Sequence, residues 1–187
     1  MKNVNKSLEN WLNELNNFSF KNYEAKPDMD LYMEQILGYL DRELSIFKTS
    51  SLDKQITSSM INNYVKGEVI PSPNAKRYSK EHIALILEVC LLKKALSISN
   101  IKTILDSSFK DTDFNNTYND FAKDSSKTLH KVADDTLESL KNVETNDQKA
   151  LLDLALKLGL EANANMLIAE RIMDLIRIHN TLKKDNE

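Results

Sequence analysis

Helix-breaking residues are scarce in this chain and unevenly placed. Its 187 residues include only three glycines and three prolines, and two of those prolines, Pro71 and Pro73, lie two positions apart. Because proline interrupts a helix and glycine weakens it, we expect long helices everywhere except around residues 71–73. Apolar residues make up 41% of the chain, which is enough for a hydrophobic core. The expected fold class is therefore all-α.

Apolar residues recur at helical spacing through the first third of the chain. The predicted elements there are, in order, a short amphipathic helix capped by Ser7, a linker over residues 16–27, a longer helix from Asp28 or Asp30 to Phe47, and a polar loop over residues 48–54.

Three capping residues mark helices in the middle of the chain. Thr57, Ser79 and Ser97 each precede an apolar helical pattern, and a side-chain oxygen at such a position can accept a hydrogen bond from the first turn. The first of these helices is short and ends near Gly67. Residues 69–78, which follow it, contain both closely spaced prolines and predict a small wing.

Charge is distributed unevenly along the sequence. Residues 57–107 carry seven Lys/Arg against four Asp/Glu, a balance of +3, whereas residues 1–56 and 108–187 have balances of −2 and −4. The whole chain has a net charge of −3. Since nucleic-acid binding depends on where charge lies, only the middle segment is a candidate for such contacts.

The short helix and the wing predict a double-stranded DNA surface. In a helix-turn-helix the second helix enters the major groove, and short polar side chains and cations there reach base edges and phosphates. For Tyr64, a phosphate contact and packing at the helix-wing corner remain open, and for Tyr78 a core position is favoured. The predicted DNA-binding residues are Thr57, Ser58, Ser59, Asn62, Asn63, Tyr64, Lys66, Lys76, Arg77 and Tyr78.

The same segment resembles the winged helix-turn-helix of mercury-resistance-type (MerR-like) regulators. The matching residues are Tyr64-Val-Lys-Gly-Glu-Val-Ile70, Lys76-Arg-Tyr-Ser79 and Leu96-Ser-Ile-Ser-Asn-Ile101. Two positions depart from that pattern: Asn62 stands where those regulators usually carry an arginine, and Glu68 replaces a common glycine.

A closer resemblance is to the bacterial domain-of-unknown-function family 1836. It is carried by Leu31-Tyr-Met-Glu-Gln35, Met60-Ile-Asn-Asn-Tyr-Val-Lys66, Ile70-Pro71, Lys76-Arg-Tyr-Ser79, Glu81-His-Ile83 and Leu92-Lys93, and extends to the Trp11 region and to Tyr118-Asn119. This resemblance implies a MerR-like DNA-binding fold and a regulatory role, but neither a reaction nor a ligand.

The sequence contains no constellation that predicts an enzyme, a metal site or a cofactor. The segment beginning at Asp111 starts like a calcium loop, but Asn116 and Ala122 stand where glycine and glutamate are needed. The three histidines, His82, His130 and His179, are not at metal-ligand spacing. The remaining acidic pattern, formed by Asp134, Asp135 and Glu138, is typical of a solvated helix face.

Localisation is predicted from what the sequence lacks. Neither a membrane span nor a signal-peptide core is apparent, so we expect a cytoplasmic protein. Cys90 lies in an apolar helical run, which favours a buried thiol over a reactive one.

The last third predicts two helices, over residues 118–143 and 147–182, after a polar loop at residues 110–116. The second helix is strongly apolar, and Gly159 can kink or divide it. We expect it to form a homodimer through Leu158, Met166 and Met173, the alternative being that it folds back on its own chain.

The predicted organisation has three parts. Residues 1–27 form an N-terminal helix and linker, residues 28–107 a winged helix-turn-helix domain, and residues 108–187 a helical region for dimerisation or for sensing an unidentified small-molecule or protein effector. The leading hypothesis is a DNA-binding transcription regulator. The alternative is a non-enzymatic protein-interaction module on the same fold. A third interpretation is that the middle segment is a helical fold whose polar residues merely face water and form no binding site.

Overall fold

A computed structural model describes residues 3–48, 56–110, 113–145 and 147–184. The described part is mostly α-helical, with one two-stranded antiparallel sheet. Its elements are α1 (Val4–Asn17), β1 (Leu31–Tyr32), α2 (Met33–Glu43), α3 (Ser58–Lys66), β2 (Arg77–Tyr78), α4 (Lys80–Leu92), α5 (Ile98–Lys110), α6 (Phe114–Leu140) and α7 (Gln148–Lys184), with short 3-10 turns at Tyr23–Ala25 and Ser45–Phe47.

Helix α4 forms the centre of the main core. Residues 83–90 are all buried, so this helix is covered on every side. Its neighbours include α2, α5 and β2. An apolar sequence with a single internal carboxylate, Glu88, favours such a position, because an all-round apolar helix is stable only when it is surrounded.

The predicted caps in the middle of the chain are confirmed. The Thr57 hydroxyl accepts a hydrogen bond from the Met60 backbone N–H at 3.3 Å, and the Ser97 hydroxyl accepts one from Asn100 at 3.2 Å. Ser79 caps α4 together with His82, whose Nδ1 lies 2.7 Å from the Ser79 hydroxyl. Each cap is a local interaction, which is why sequence spacing predicts it.

The predicted start of α2 is wrong. Neither Asp28 nor Asp30 caps it; the helix begins after Tyr32, whose backbone N–H donates to the Gln35 side chain at 2.9 Å. The reason is tertiary, because residues 31–32 pair with residues 77–78 as β1 and β2 and are therefore extended. Asp28 instead forms an ion pair with Lys80 at 2.6 Å.

Helices α1 and α6 pack against each other around a second, smaller core of Leu12, Leu15 and Ala133. Helix α6 begins earlier than predicted, with Asp113 accepting a hydrogen bond from the Asn116 N–H at its start. The predicted loop at residues 110–116 is partly outside the described residues, as is nearly all of the loop at residues 48–54.

Helix α7 runs for 37 residues without interruption. Gly159 lies inside it and does not divide it. Across the described residues, we find no helix that is both long and apolar enough to span a membrane.

Candidate nucleic-acid interface

Helix α3 presents one polar face to solvent. Ser58, Ser59, Asn62, Asn63 and Lys66 are exposed. The opposite face anchors the helix through Ile61, which is fully buried in the main core. The amphipathic spacing therefore places five of the predicted contact residues on one accessible surface, which we call the α3 face.

Thr57 takes part in this surface only indirectly. Its side chain is half-buried, and its hydroxyl oxygen accepts the hydrogen bond that caps α3. Thr57 therefore fixes where the helix begins and how its first turn is oriented.

Tyr64 and Tyr78 are core residues and do not belong to the exposed contact surface. Tyr64 is 7% exposed and Tyr78 is 3% exposed. Burial raises the pKa of the Tyr64 phenol, and the nearby Cys90 raises it further. The Tyr78 ring packs edge-on against His82, with ring centroids 5.7 Å apart. Tyrosine suits either location because it joins an apolar ring to a polar tip. The sequence left the location of Tyr64 open and favoured the core for Tyr78.

The wing ends in a tight turn that exposes two cations. The Arg77 backbone N–H donates to the Asn74 carbonyl at 2.8 Å, and the two residues between them, Ala75 and Lys76, have φ angles of 48° and 62°. Positive φ at both central positions is typical of a type I′ turn, where Asn-Gly is the common choice. Ala and Lys adopt this left-handed region at a steric cost, so the turn is strained.

Arg77 is held in place by an aromatic ring from the other strand. Its guanidinium carbon lies 5.3 Å from the centroid of Tyr32, the residue that pairs with Arg77 in the β1–β2 sheet. Lys76 and Arg77 are both exposed. The wing therefore carries its two positive charges on a defined backbone.

The junction between α3 and the wing is also in a left-handed conformation. Glu68 has a φ of 55°, a left-handed conformation that glycine adopts without steric cost. Lys102 of α5 donates to the Glu68 carbonyl and lies 3.7 Å from its carboxylate. This bond ties the end of α3 to α5.

Sequence reasoning missed a buried ionisable cluster inside the main core. Lys26 is 3% exposed and Glu88 is 5% exposed. The Lys26 Nζ lies 4.1 Å from the centroid of the Tyr118 ring and donates to the Lys21 carbonyl at 3.2 Å. Burial lowers the pKa of Lys26 to about 8 and raises that of Glu88 to about 7. The sequence signal that could have indicated this cluster is Glu88, a single glutamate within the apolar run of α4.

The described residues contain no group of three or more His, Cys, Asp or Glu side chains placed to hold a metal ion. Cys90 is buried, and burial raises its thiol pKa to about 11. A cleft of about 200 Å³ lies beside the wing and is lined by Val65, Glu68, Val69, Ile70, Pro71, Ser72 and Asp106.

Together these features define a mostly α-helical protein in which a buried central helix supports a helix pair and a short two-stranded sheet. A sequence model of the family described as "Domain of unknown function (DUF1836)" matches residues 21–123, which is just over half of the chain. The chain belongs to that family, as its residues indicated. No curated protein and no solved structure matches it.

Proposed function

We propose that this protein is a DNA-binding transcription regulator with a MerR-like winged helix-turn-helix, in which α2 and α3 form the helix pair and residues 71–78 the wing. The observation that carries the proposal is the α3 face, which presents Asn62, Asn63 and Lys66 outward from a helix anchored by buried Ile61. The site of action would then be the cytoplasm, as the sequence analysis predicts.

The side chains on the α3 face suit the major groove. Asparagine can form two hydrogen bonds with adenine, and serine can bond to either a base edge or a phosphate. Ser58 and Ser59 lie in the first turn of α3, where the helix end is partially positive and favours a phosphate. Lys66 lies at the opposite end of the helix.

The wing adds charge beside the helix. Lys76 and Arg77 are exposed at its turn, and cations in such a position neutralise phosphates without reading sequence. Strained backbone persists where the surrounding structure imposes it, and it is common at functional sites. A turn strained at Ala75 and Lys76 supports a role for the wing beyond connecting two helices.

The proposal predicts the effect of replacing Asn62, Lys66, Lys76 and Arg77 together with alanine. Genomic fragments retained by the wild-type protein would be isolated, and affinity for one of them measured by fluorescence anisotropy between about 50 and 200 mM salt. We expect affinity to fall sharply and the salt slope to decrease by about one unit for each phosphate interaction that the substitutions remove. Helical circular dichroism should be retained, since all four residues are exposed.

A matched control removes the same kind of positive charge elsewhere. Lys123, Lys127 and Lys131 are exposed on α6, and their replacement with alanine also deletes three cations. This control should bind the fragment nearly as well as wild type. Equal losses in both variants would indicate non-specific attraction, and an unaffected quadruple variant would exclude the α3 face.

The alternative function gives a different result in the same preparation. If the wild-type protein retains no DNA fragment at any salt concentration but co-purifies with a second protein, the fold is a protein-interaction module and the DNA-binding proposal is wrong.

A further inference from the structure

Helix α7 leaves an unusual amount of apolar surface in contact with solvent. Among the described residues, sixteen large hydrophobic side chains are exposed, and ten of them lie on this one helix. Those exposed by half or more, between 50% and 67%, are Leu152, Leu156, Leu160, Leu167, Ile168, Ile172, Leu175 and Ile178. A contiguous apolar surface of this kind is typical of an interface.

The total surface area of the chain is larger than that of a compact monomer of the same mass. The chain exposes 12417 Å², whereas a compact monomer of 21.4 kDa is expected to expose about 9,100 Å². The excess is about 3,300 Å² for one copy. Stable obligate homodimers bury roughly 2,000–5,000 Å² over both partners, so half of this excess on each copy would be sufficient.

The two sides of α7 differ in what covers them. Leu154 and Leu158 are half-buried and line a groove with Thr136 and Ser139 of α6. Farther along, Met173 is only 6% exposed. The sequence favoured Leu158, Met166 and Met173 as dimer contacts; within the chain Met173 is buried, Leu158 is half-buried and Met166 is exposed.

The opposite side of the helix is free of such cover. Leu152, Leu156 and Leu160 recur every four residues, and Leu167 follows seven residues later, which places all four on one side of the helix. We call this set the outer α7 stripe. Its residues lie more than 100° around the helix from Leu154 and Leu158, given about 100° per residue.

We propose that the outer α7 stripe is covered by the same stripe of a second copy of this chain. Charge supports this occupant. Residues 149–167, which span the outer α7 stripe, carry two cations, Lys149 and Lys157, and two anions, Asp153 and Glu161. Two such stripes meet without net charge repulsion, although the whole chain is acidic.

The same charge pattern disfavours two other occupants. A helix that binds a lipid surface usually has one apolar face and a polar face rich in Lys and Arg, whereas α7 is apolar on several sides and the charges along its outer stripe are balanced. A strongly charged protein partner would find no complementary net charge along this stripe.

Light scattering on the full-length chain tests the dimer without any DNA, so its result is separate from the test of DNA binding. At micromolar concentration we expect twice the 21.4 kDa mass of one chain. The double substitution Leu156→Glu and Leu160→Glu should give the monomer mass with helical circular dichroism retained. Both residues are exposed, so the chain does not need them for its own core.

A matched control introduces the same kind of charge on another exposed apolar residue. Val132 on α6 is 47% exposed, and Val132→Glu should leave the dimer intact. A monomeric wild-type chain would overturn the proposal, whether α7 then folds back on its own chain or binds anionic vesicles or another protein. A double variant that remains dimeric would exclude the outer α7 stripe as the interface.

Discussion

The buried carboxyl of Glu88 makes a pH-dependent contribution to stability that a single substitution isolates. Glu88 lies in α4, and burial raises its pKa from 4.5 to about 7, although the neighbouring Lys26 acts in the opposite direction. We consider Glu88→Gln, which keeps the shape of the side chain and removes its titration.

The direction in which the unfolding free energy changes with pH depends on whether the folded or the unfolded chain binds more protons. Between pH 4.5 and about 7 the folded chain keeps Glu88 protonated while the unfolded chain ionises it, so the folded state binds more protons. The free energy of unfolding of the wild type therefore falls as pH rises through this window. With about 1.4 kcal/mol per pKa unit, the total loss from this group is about 3 kcal/mol.

Urea unfolding of wild type and Glu88→Gln from pH 4.5 to pH 8 measures this contribution. The difference in unfolding free energy should shift in favour of the glutamine variant by about 3 kcal/mol across the range. The informative quantity is this change with pH, because the substitution also alters the environment of buried Lys26 at every pH. Protein concentration is held constant, since association contributes to stability.

Glu14→Gln is the matched control, because Glu14 is an exposed carboxyl on α1 and its loss leaves the buried pair intact. Its pH dependence should follow that of the wild type. If the difference between Glu88→Gln and wild type is constant across the range, Glu88 does not titrate as a buried group and the reasoning is refuted.

Two further predictions concern stability. Ile61→Ala and Ile101→Ala should each destabilise the chain by about 2–5 kcal/mol in urea unfolding, because both side chains are fully buried, and a negligible loss would mean that the faces of α3 and α5 are inverted. Ala75→Gly should stabilise the chain by roughly 1 kcal/mol, because glycine relieves the left-handed strain at a φ of 48°. DNA affinity should be unchanged in this variant, and a loss of stability would show that the wing turn is not strained.

Local signals predicted the middle of the chain well. The caps at Thr57 and Ser97 each need only a side-chain oxygen and the backbone three residues later, and the cap at Ser79 uses the side chain of His82, also three residues later. The predicted start of α2 was wrong because residues 31–32 are extended. They pair with β2, which is more than forty residues away in sequence. A pairing over that distance leaves no local signal to compete with a good capping residue such as Asp30.

The candidate surface was predictable where polarity alone decides exposure. Asn62, Asn63 and Lys66 had to face solvent once Ile61 faced the core. The exposure of a tyrosine, or of one side of a long apolar helix, is harder to predict from sequence, because it depends on which neighbour covers it. Tyr64 and Tyr78 were covered by the core, and in α7 the covered side was decided by where α6 lies.

The extent of the main core also depends on contacts that sequence periodicity does not encode. The predicted domain covered residues 28–107, but the core includes Phe20 before it and Tyr118 and Ala122 after it. The Tyr23 backbone N–H donates to the Asn119 side chain at 2.7 Å, and Lys26 packs on Tyr118. These contacts join the segment before β1 to the start of α6. Removing the start of α6 would expose Lys26, and removing the segment before β1 would leave the buried Glu88 without Lys26 beside it. The family match, residues 21–123, includes both segments.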